Sequence, residues 1–197
     1  MTTTAAQYAT ADDRLRQVLR HIADWDAPTP CEGWAARDVV AHLIETERAF
    51  LGEQVDLGDD GGVAGGEGAP LADPAAAWAE HADRVRAALA DPALAAREYA
   101  GFFGPSTVGE TFRTFYVFDV VVHRWDLARA AGGAGGAGGA GVAGAVWDEA
   151  ELDLLDASTA AMGEAIRMEG ICGPALAVPA GAGRQERMLA YLGRAAR

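Results

Sequence analysis

Phe115-Tyr116-Val117-Phe118-Asp119-Val120-Val121-Val122-His123-Arg124-Trp125-Asp126-Leu127 is the stretch around which the rest of the chain is read. Taken as a helix, its apolar stripe runs through Phe112, Phe115/Tyr116, Val120 and Leu127. Asp119 and His123, four residues apart, share a face one turn from each other and fall inside that stripe. A carboxylate and an imidazole on an apolar stripe need compensation by a mutual hydrogen bond, a buried polar network or a metal ion.

Helical periodicity continues to either side. On the N-terminal side, Thr4 to Asp24 reads as a first helix through Tyr8, Leu15, Val18/Leu19 and Ile22. A loop with Pro28, Pro30 and Gly33 follows. A second helix starts near Ala35, with Asp38 favoured by the macrodipole in its first turn and Val39, Leu43, Thr46 and Phe50 inward. His42 lies on that same inward face, a second polar intrusion into a core stripe. Residues 56–72 read as a mobile loop rich in Gly, Asp and Ala. Asp73-Pro74, an N-cap and an N1 proline, opens a third helix to about Ala90, with His81 near its stripe of Trp78, Val85 and Leu89. Tyr99 to Pro105 is a short apolar connection, and Thr107 with Glu110 is a capping-box pattern that opens the fourth helix, Val108 to Ala131.

On the C-terminal side, Gly132 to Gly144 is a low-complexity GGA run, read as a flexible linker or loop. Trp147-Asp148 opens a fifth helix through Leu152, Leu155, Thr159, Met162 and Ile166. Residues 170–179 are extended, and Gln185 to Arg194 forms a short last helix. The pattern predicts an all-α fold: an antiparallel four-helix bundle over 1–131, the glycine run over 132–144, and a C-terminal helix and tail over 145–197 packed on the same domain.

The chain has 197 residues and a formal net charge of -13. No basic footprint for a nucleic-acid backbone is present. No apolar run reaches membrane-span length, and the N-terminus does not read as a signal peptide, so a cytoplasmic protein is expected. Two distant cysteines, Cys31 and Cys172, exclude a cysteine-rich metal site. The sequence leaves monomer and homodimer open.

His42, Asp119 and His123 thus project from the apolar faces of two helices. Bundles build metal sites from side chains on facing helices, and two imidazoles with one carboxylate suit zinc, with nickel or iron(II) as alternatives. Three protein ligands leave coordination positions open, as in a catalytic or ligand-binding site. The competing reading is a hydrogen-bonded core pair without metal. Cys31 reads as a small buried hydrophobe or a neighbour of the site, and Trp34 and Trp125 as core or pocket wall. His81 reads as a partly exposed helix residue or pocket-lining group. Asp126 either orients a ligand through the imidazole or faces solvent.

Thr29-Pro30-Cys31-Glu32-Gly33-Trp34 with Arg37-Asp38-Val39-Val40-Ala41-His42-Leu43 resembles the first motif of the mycothiol-dependent maleylpyruvate isomerase family. Asp119-Val120-Val121-Val122-His123-Arg124-Trp125-Asp126-Leu127-Ala128 resembles its second motif. The closing stretch, Gly173-Pro174 through Val178-Pro179 to Arg187–Arg194, is similar to a single-domain actinobacterial branch. The resemblance implies a DinB-like four-helix bundle and a zinc-type site made by His42, Asp119 and His123. It also implies mycothiol, a low-molecular-weight thiol, as co-substrate, and so a thiol-using transferase or isomerase acting on a small electrophile. Two departures separate this chain from the family's isomerase. That enzyme has glutamate at the position of Asp119, so the shorter carboxylate would ligate differently or through water. It also has a separate C-terminal domain, where about fifty residues follow the glycine run here. A metal-dependent hydrolase or tailoring enzyme without thiol, and a non-catalytic metal- or ligand-binding protein, stay open as alternatives.

Overall fold

The computed structural model describes residues 2–58, 71–132, 144–168 and 170–196. Most of the expected loop over 56–72, and all of the glycine run except Gly132 and Gly144, lie outside the described residues. The chain is mostly helical, with elements α1 (Thr4–Leu19), α2 (Ala36–Gly52), α3 (Pro74–Leu89) and α4 (Pro92–Ala95), then strands β1 (Glu98–Gly101) and β2 (Gly104–Thr107). Next come α5 (Val108–Thr111), a π-helical segment (Phe112–Val117), α6 (Phe118–Ala131), α7 (Glu149–Met162), a 3-10 segment (Gly163–Arg167) and α8 (Arg184–Tyr191).

Helix starts follow the capping chemistry. Asp73 accepts from the Ala76 amide at 3.0 Å, and Thr107 accepts from Glu110 at 3.1 Å. Asp148 and Glu151 cap each other reciprocally, at 2.9 and 3.1 Å. Each bond satisfies an amide that has no partner within its helix.

Three expectations are corrected. First, α1 ends at Leu19 rather than near Asp24. The Asp24 side chain accepts from the Asp26 amide, and Ala36 and Arg37 donate to Ala27 and Trp25, so local turn bonds replace further helix. Second, the connection after α4 is an antiparallel hairpin with Tyr99 opposite Ser106 and Phe102-Phe103 at its tip. Strands of four residues are too short for a period-two signal. Third, α8 stops at Tyr191. Gly193, at φ +77°, reverses the chain while its amide donates to Ala190 and the Arg194 amide donates to Leu189. This is a Schellman closure, and it throws the Arg194 side chain off the helix.

α1 packs against α3 and α6, and α2 packs against the same two helices. Val120 to Ala128 are all buried, so α6 is enclosed all round rather than along a stripe. The C-terminal segment covers its far side. There the Trp147 indole donates to the Val121 carbonyl, and fully buried Arg124 pairs with Glu151 at 2.9 Å and donates to the Gly144 and Val146 carbonyls.

Candidate functional site

The three polar residues on the α2 and α6 stripes converge. His42 Nε2 lies 3.2 Å from Asp119 Oδ2, and His123 Nε2 lies 3.9 Å from Asp119 Oδ1. The two imidazole rings meet edge to face with centroids 5.3 Å apart. One donor atom from each of the three residues lies within 4.8 Å of the other two. Two ~2.1 Å bonds to one ion span at most about 4.2 Å, so side-chain shifts of less than about 1 Å bring the three onto a common ion. His123 is nearly buried, whereas His42 and Asp119 are about a quarter exposed and face an open cleft.

What holds the imidazole of His123 is completely buried. Its Nδ1–H donates to Asp126 Oδ2 at 2.9 Å, the tautomer being assigned from this bond. Arg194 in turn forks onto Asp126, with Nε 2.9 Å from Oδ1 and a terminal nitrogen 2.7 Å from Oδ2. Burial by itself would raise the Asp126 carboxyl, but the bonds from His123 and Arg194 outweigh it and hold the group below the usual carboxylate range. With Nδ1 so engaged, the lone pair of Nε2 points toward Asp119. Asp119 is shifted the same way. Burial raises its carboxyl, and the His42 bond with the nearby His123, His42 and Arg194 side chains more than offsets that. It is an anion at neutral pH.

Cys31 sits beside this relay. Its Sγ is 3.3 Å from Asp126 Oδ2 and 3.8 Å from His123 Nδ1. Burial and the Asp126 charge push its thiol up to about 12, so it is a protonated donor and not a ready thiolate. Cys31, His123 and Asp126 also have mutually close donor atoms. Both Asp126 oxygens are already taken by Arg194, however, so this second group reads as hydrogen-bonded support. Trp34 packs on both site imidazoles, its ring 4.8 Å from His42 and stacked 6.1 Å from His123. Asp126, expected either behind the imidazole or in solvent, is behind the imidazole.

Two expected pocket residues lie elsewhere. His81 is buried, and its Nε2 is 2.9 Å from Glu47 Oε2, which also accepts from the Tyr8 hydroxyl at 2.9 Å. This network lies within the core formed by α1, α2 and α3, where both donors share Oε2 and Glu47 Oε1 is left without a hydrogen-bond partner. Trp125 is buried on the other side of α6, under the Arg129 guanidinium, and lines a separate cavity of about 460 Å³ with Leu152 and Leu189. Trp125 shares α6 with Asp119 and His123 but points off the site face, and His81 lies on α3, which carries no site residue.

The cleft above the triad has a volume of about 1110 Å³. Its walls come from the hairpin, the π-helical segment and the chain after α7, including Tyr99, Phe115, Tyr116, Met162 and Cys172. π-helical turns are frequent at functional sites, and this one directly precedes Asp119. Burial raises the Tyr116 phenol above its ordinary value, helped by the neighbouring Tyr99 and Asp119, so it keeps its proton.

Periodicity finds neither Arg194 nor Cys172, because each lies far along the chain from its partners. The signal for Arg194 was indirect: an aspartate on a helix buried all round demands a cation.

Residues 7–128 match the family model for the mycothiol maleylpyruvate isomerase N-terminal domain. No curated protein matches the chain, and no solved structure does. The matched region contains Cys31, Trp34, His42, Asp119, His123 and Asp126, while Cys172 and Arg194 lie beyond it. Motifs and matched region agree, and the chain belongs to the family of the mycothiol maleylpyruvate isomerase N-terminal domain.

Proposed function

We propose that this protein is a divalent-metal enzyme that uses a low-molecular-weight thiol, mycothiol, to transfer or isomerise a small electrophilic substrate. In this reading His42, Asp119 and His123 hold the metal, zinc in the first instance, with nickel or iron(II) as alternatives. α1, α2, α3 and α6 form a DinB-like four-helix bundle, and residues 145–197 complete the same domain. The observation that carries the reading is the convergence of two imidazole nitrogens and a carboxylate at one end of an open cleft. The donor set fits the group, since nitrogen and oxygen donors on facing helices with a free side suit a borderline divalent cation.

A cation bound there would keep a coordinated thiol ionised at neutral pH. The chain's own residues do the rest. Asp126 accepts the hydrogen bond from His123 Nδ1–H and leaves Nε2 as the ligand atom. Arg194 keeps Asp126 charged, and so keeps the imidazole oriented. Trp34 fixes both rings and covers them from water. Cys31, held as a thiol, does not compete with the incoming thiol for the metal. Tyr116 keeps a protonated hydroxyl on the cleft wall. Asp119, one methylene shorter than glutamate, reaches His42 more closely than His123.

The thiol half is tested by replacing the metal with cobalt(II) and titrating with mycothiol. A thiolate-to-cobalt charge-transfer band is expected in the wild type and not in His123→Ala. Cobalt binding without that band at saturating mycothiol would contradict thiol use and favour the hydrolytic reading.

A further inference from the structure

The cleft is much larger than a metal and its first ligands need, and much of its lining is aromatic or aliphatic. Along the wall that leads from Asp119 to the hairpin, Phe50 stacks on Tyr116 at 4.9 Å, and Phe103 at the hairpin tip lies parallel to Phe115 with centroids 5.8 Å apart. Among the described residues, five of the eight exposed large apolar side chains line this one cleft: Phe102, Phe103, Met168, Ile171 and Leu176. Phe102 is 79% exposed and Phe103 55%. An apolar rim gathered around a concavity marks a binding surface, whereas scattered exposed residues would not.

Among the described residues, the aromatic arm of the cleft also offers no free cationic side chain to an anionic ligand. The chain contains no lysine, and the undescribed stretches 59–70 and 133–143 contain no arginine. Arg194 is the one arginine lining the cleft among the described residues, and its charge is engaged by the Asp126 carboxylate. Its Nε and one terminal nitrogen hold Asp126, that nitrogen also contacts Cys31 Sγ, and the other donates to the Leu192 carbonyl. Glu32 and Glu110 add negative charge to the wall. His42 and His123 belong to the metal set. An anion entering the aromatic arm would lose its hydration without gaining a partner.

We propose that the aromatic arm of the cleft holds an uncharged aromatic or extended apolar portion of the substrate, and that a dicarboxylate is disfavoured. The proposal rests on reading the triad as the reactive end, and it departs from the doubly anionic substrate in the family's name. Specificity is set here by the hairpin, through Phe102 and Phe103, and by the apolar wall after α7.

The test is calorimetry on the zinc-loaded full chain with two probes, methyl cinnamate and the same ester carrying a 4-carboxylate. Methyl cinnamate is expected to bind at least about tenfold tighter, a difference of ~1.4 kcal/mol. Phe103→Ser is expected to weaken methyl cinnamate binding several-fold without changing zinc affinity or helical content. Three results would overturn the proposal: no binding of methyl cinnamate, equal or tighter binding of the carboxylated ester, or indifference to Phe103→Ser. Sedimentation of the same samples gives a further one, a dimer that Phe103→Ser splits, in which case a second copy covers the rim. Zinc titration of the same samples separates the two readings. Zinc bound without methyl cinnamate defeats only the substrate class, and Phe103-dependent probe binding without zinc defeats only the metal reading.

Discussion

His81 and His123 invite comparison because by simple measures they are the same. Each lies on an inward helix face, each is 6% exposed, and each makes a 2.9 Å bond to a buried carboxylate. They differ in which ring nitrogen the carboxylate takes and in what lies beyond. Glu47 takes Nε2 of His81, the nitrogen farthest from the backbone, and Tyr8 donates to the same carboxylate oxygen within the core. Asp126 takes Nδ1 of His123, so Nε2 is left facing Asp119, His42 and a cleft. A buried histidine–carboxylate pair is therefore not by itself a site. It becomes one when the distal nitrogen is left free toward a space that other donors share.

The largest expected break in this symmetry is in metal affinity. His123→Ala should weaken zinc binding by at least about 100-fold, equivalent to ~2.7 kcal/mol, while His81→Ala leaves it within about twofold. A competition titration against a chromophoric chelator measures both. Equal losses would mean that the two histidines are not distinct in role.

Next in size is the effect of the orienting carboxylate. Asp126→Asn keeps the volume and removes the charge facing His123 and Arg194. It should lower zinc affinity about 10–100-fold, the usual range for a residue that orients a ligand. An unchanged affinity would show that the Asp126–His123 bond is structural only.

The His81–Glu47–Tyr8 network should register in stability instead. His81→Ala leaves the Glu47 carboxylate without its imidazole, and a buried group so orphaned costs about 1–3 kcal/mol. Denaturant unfolding reads this directly, and no loss would argue against a structural role for the His81–Glu47 bond.

The smallest effect is in pH. Burial raises the Glu47 carboxyl above its ordinary value, more than the bonds from His81 and Tyr8 lower it. The folded state therefore holds this proton more tightly than the unfolded chain. Its stabilising contribution is complete below the ordinary glutamate pKa of about 4.3 and is lost as pH rises through the folded value. Glu47→Gln should flatten that decline in the metal-free protein, and an unchanged slope would contradict the assignment.

Much of this was legible in the chain. Asp73-Pro74, Thr107 and Asp148 place helix starts because caps are local chemistry, and the α2 and α6 stripes bring His42, Asp119 and His123 together because a helix repeats its faces. The hairpin was not legible, since glycine and proline break its short strands. Nor was the π-helical segment, which shifts backbone bonds without a residue signature. The direction of His81 depends on the Glu47 and Tyr8 partners across helices. The Arg194–Asp126 fork depends on a chain reversal at Gly193 far along the sequence. Local patterns thus locate the donors, whereas tertiary partners decide which donors remain free.

The central claim is that two imidazoles and the Asp119 carboxylate form one divalent-metal centre, with Cys31 outside it. X-ray absorption at the zinc edge of the one-equivalent zinc protein tests this most directly. The account predicts a shell of nitrogen and oxygen at about 2.0–2.2 Å with the outer-shell signature of two imidazoles. A sulfur ligand at about 2.3 Å would move the centre onto Cys31, and a shell without imidazole would remove it from this cleft altogether.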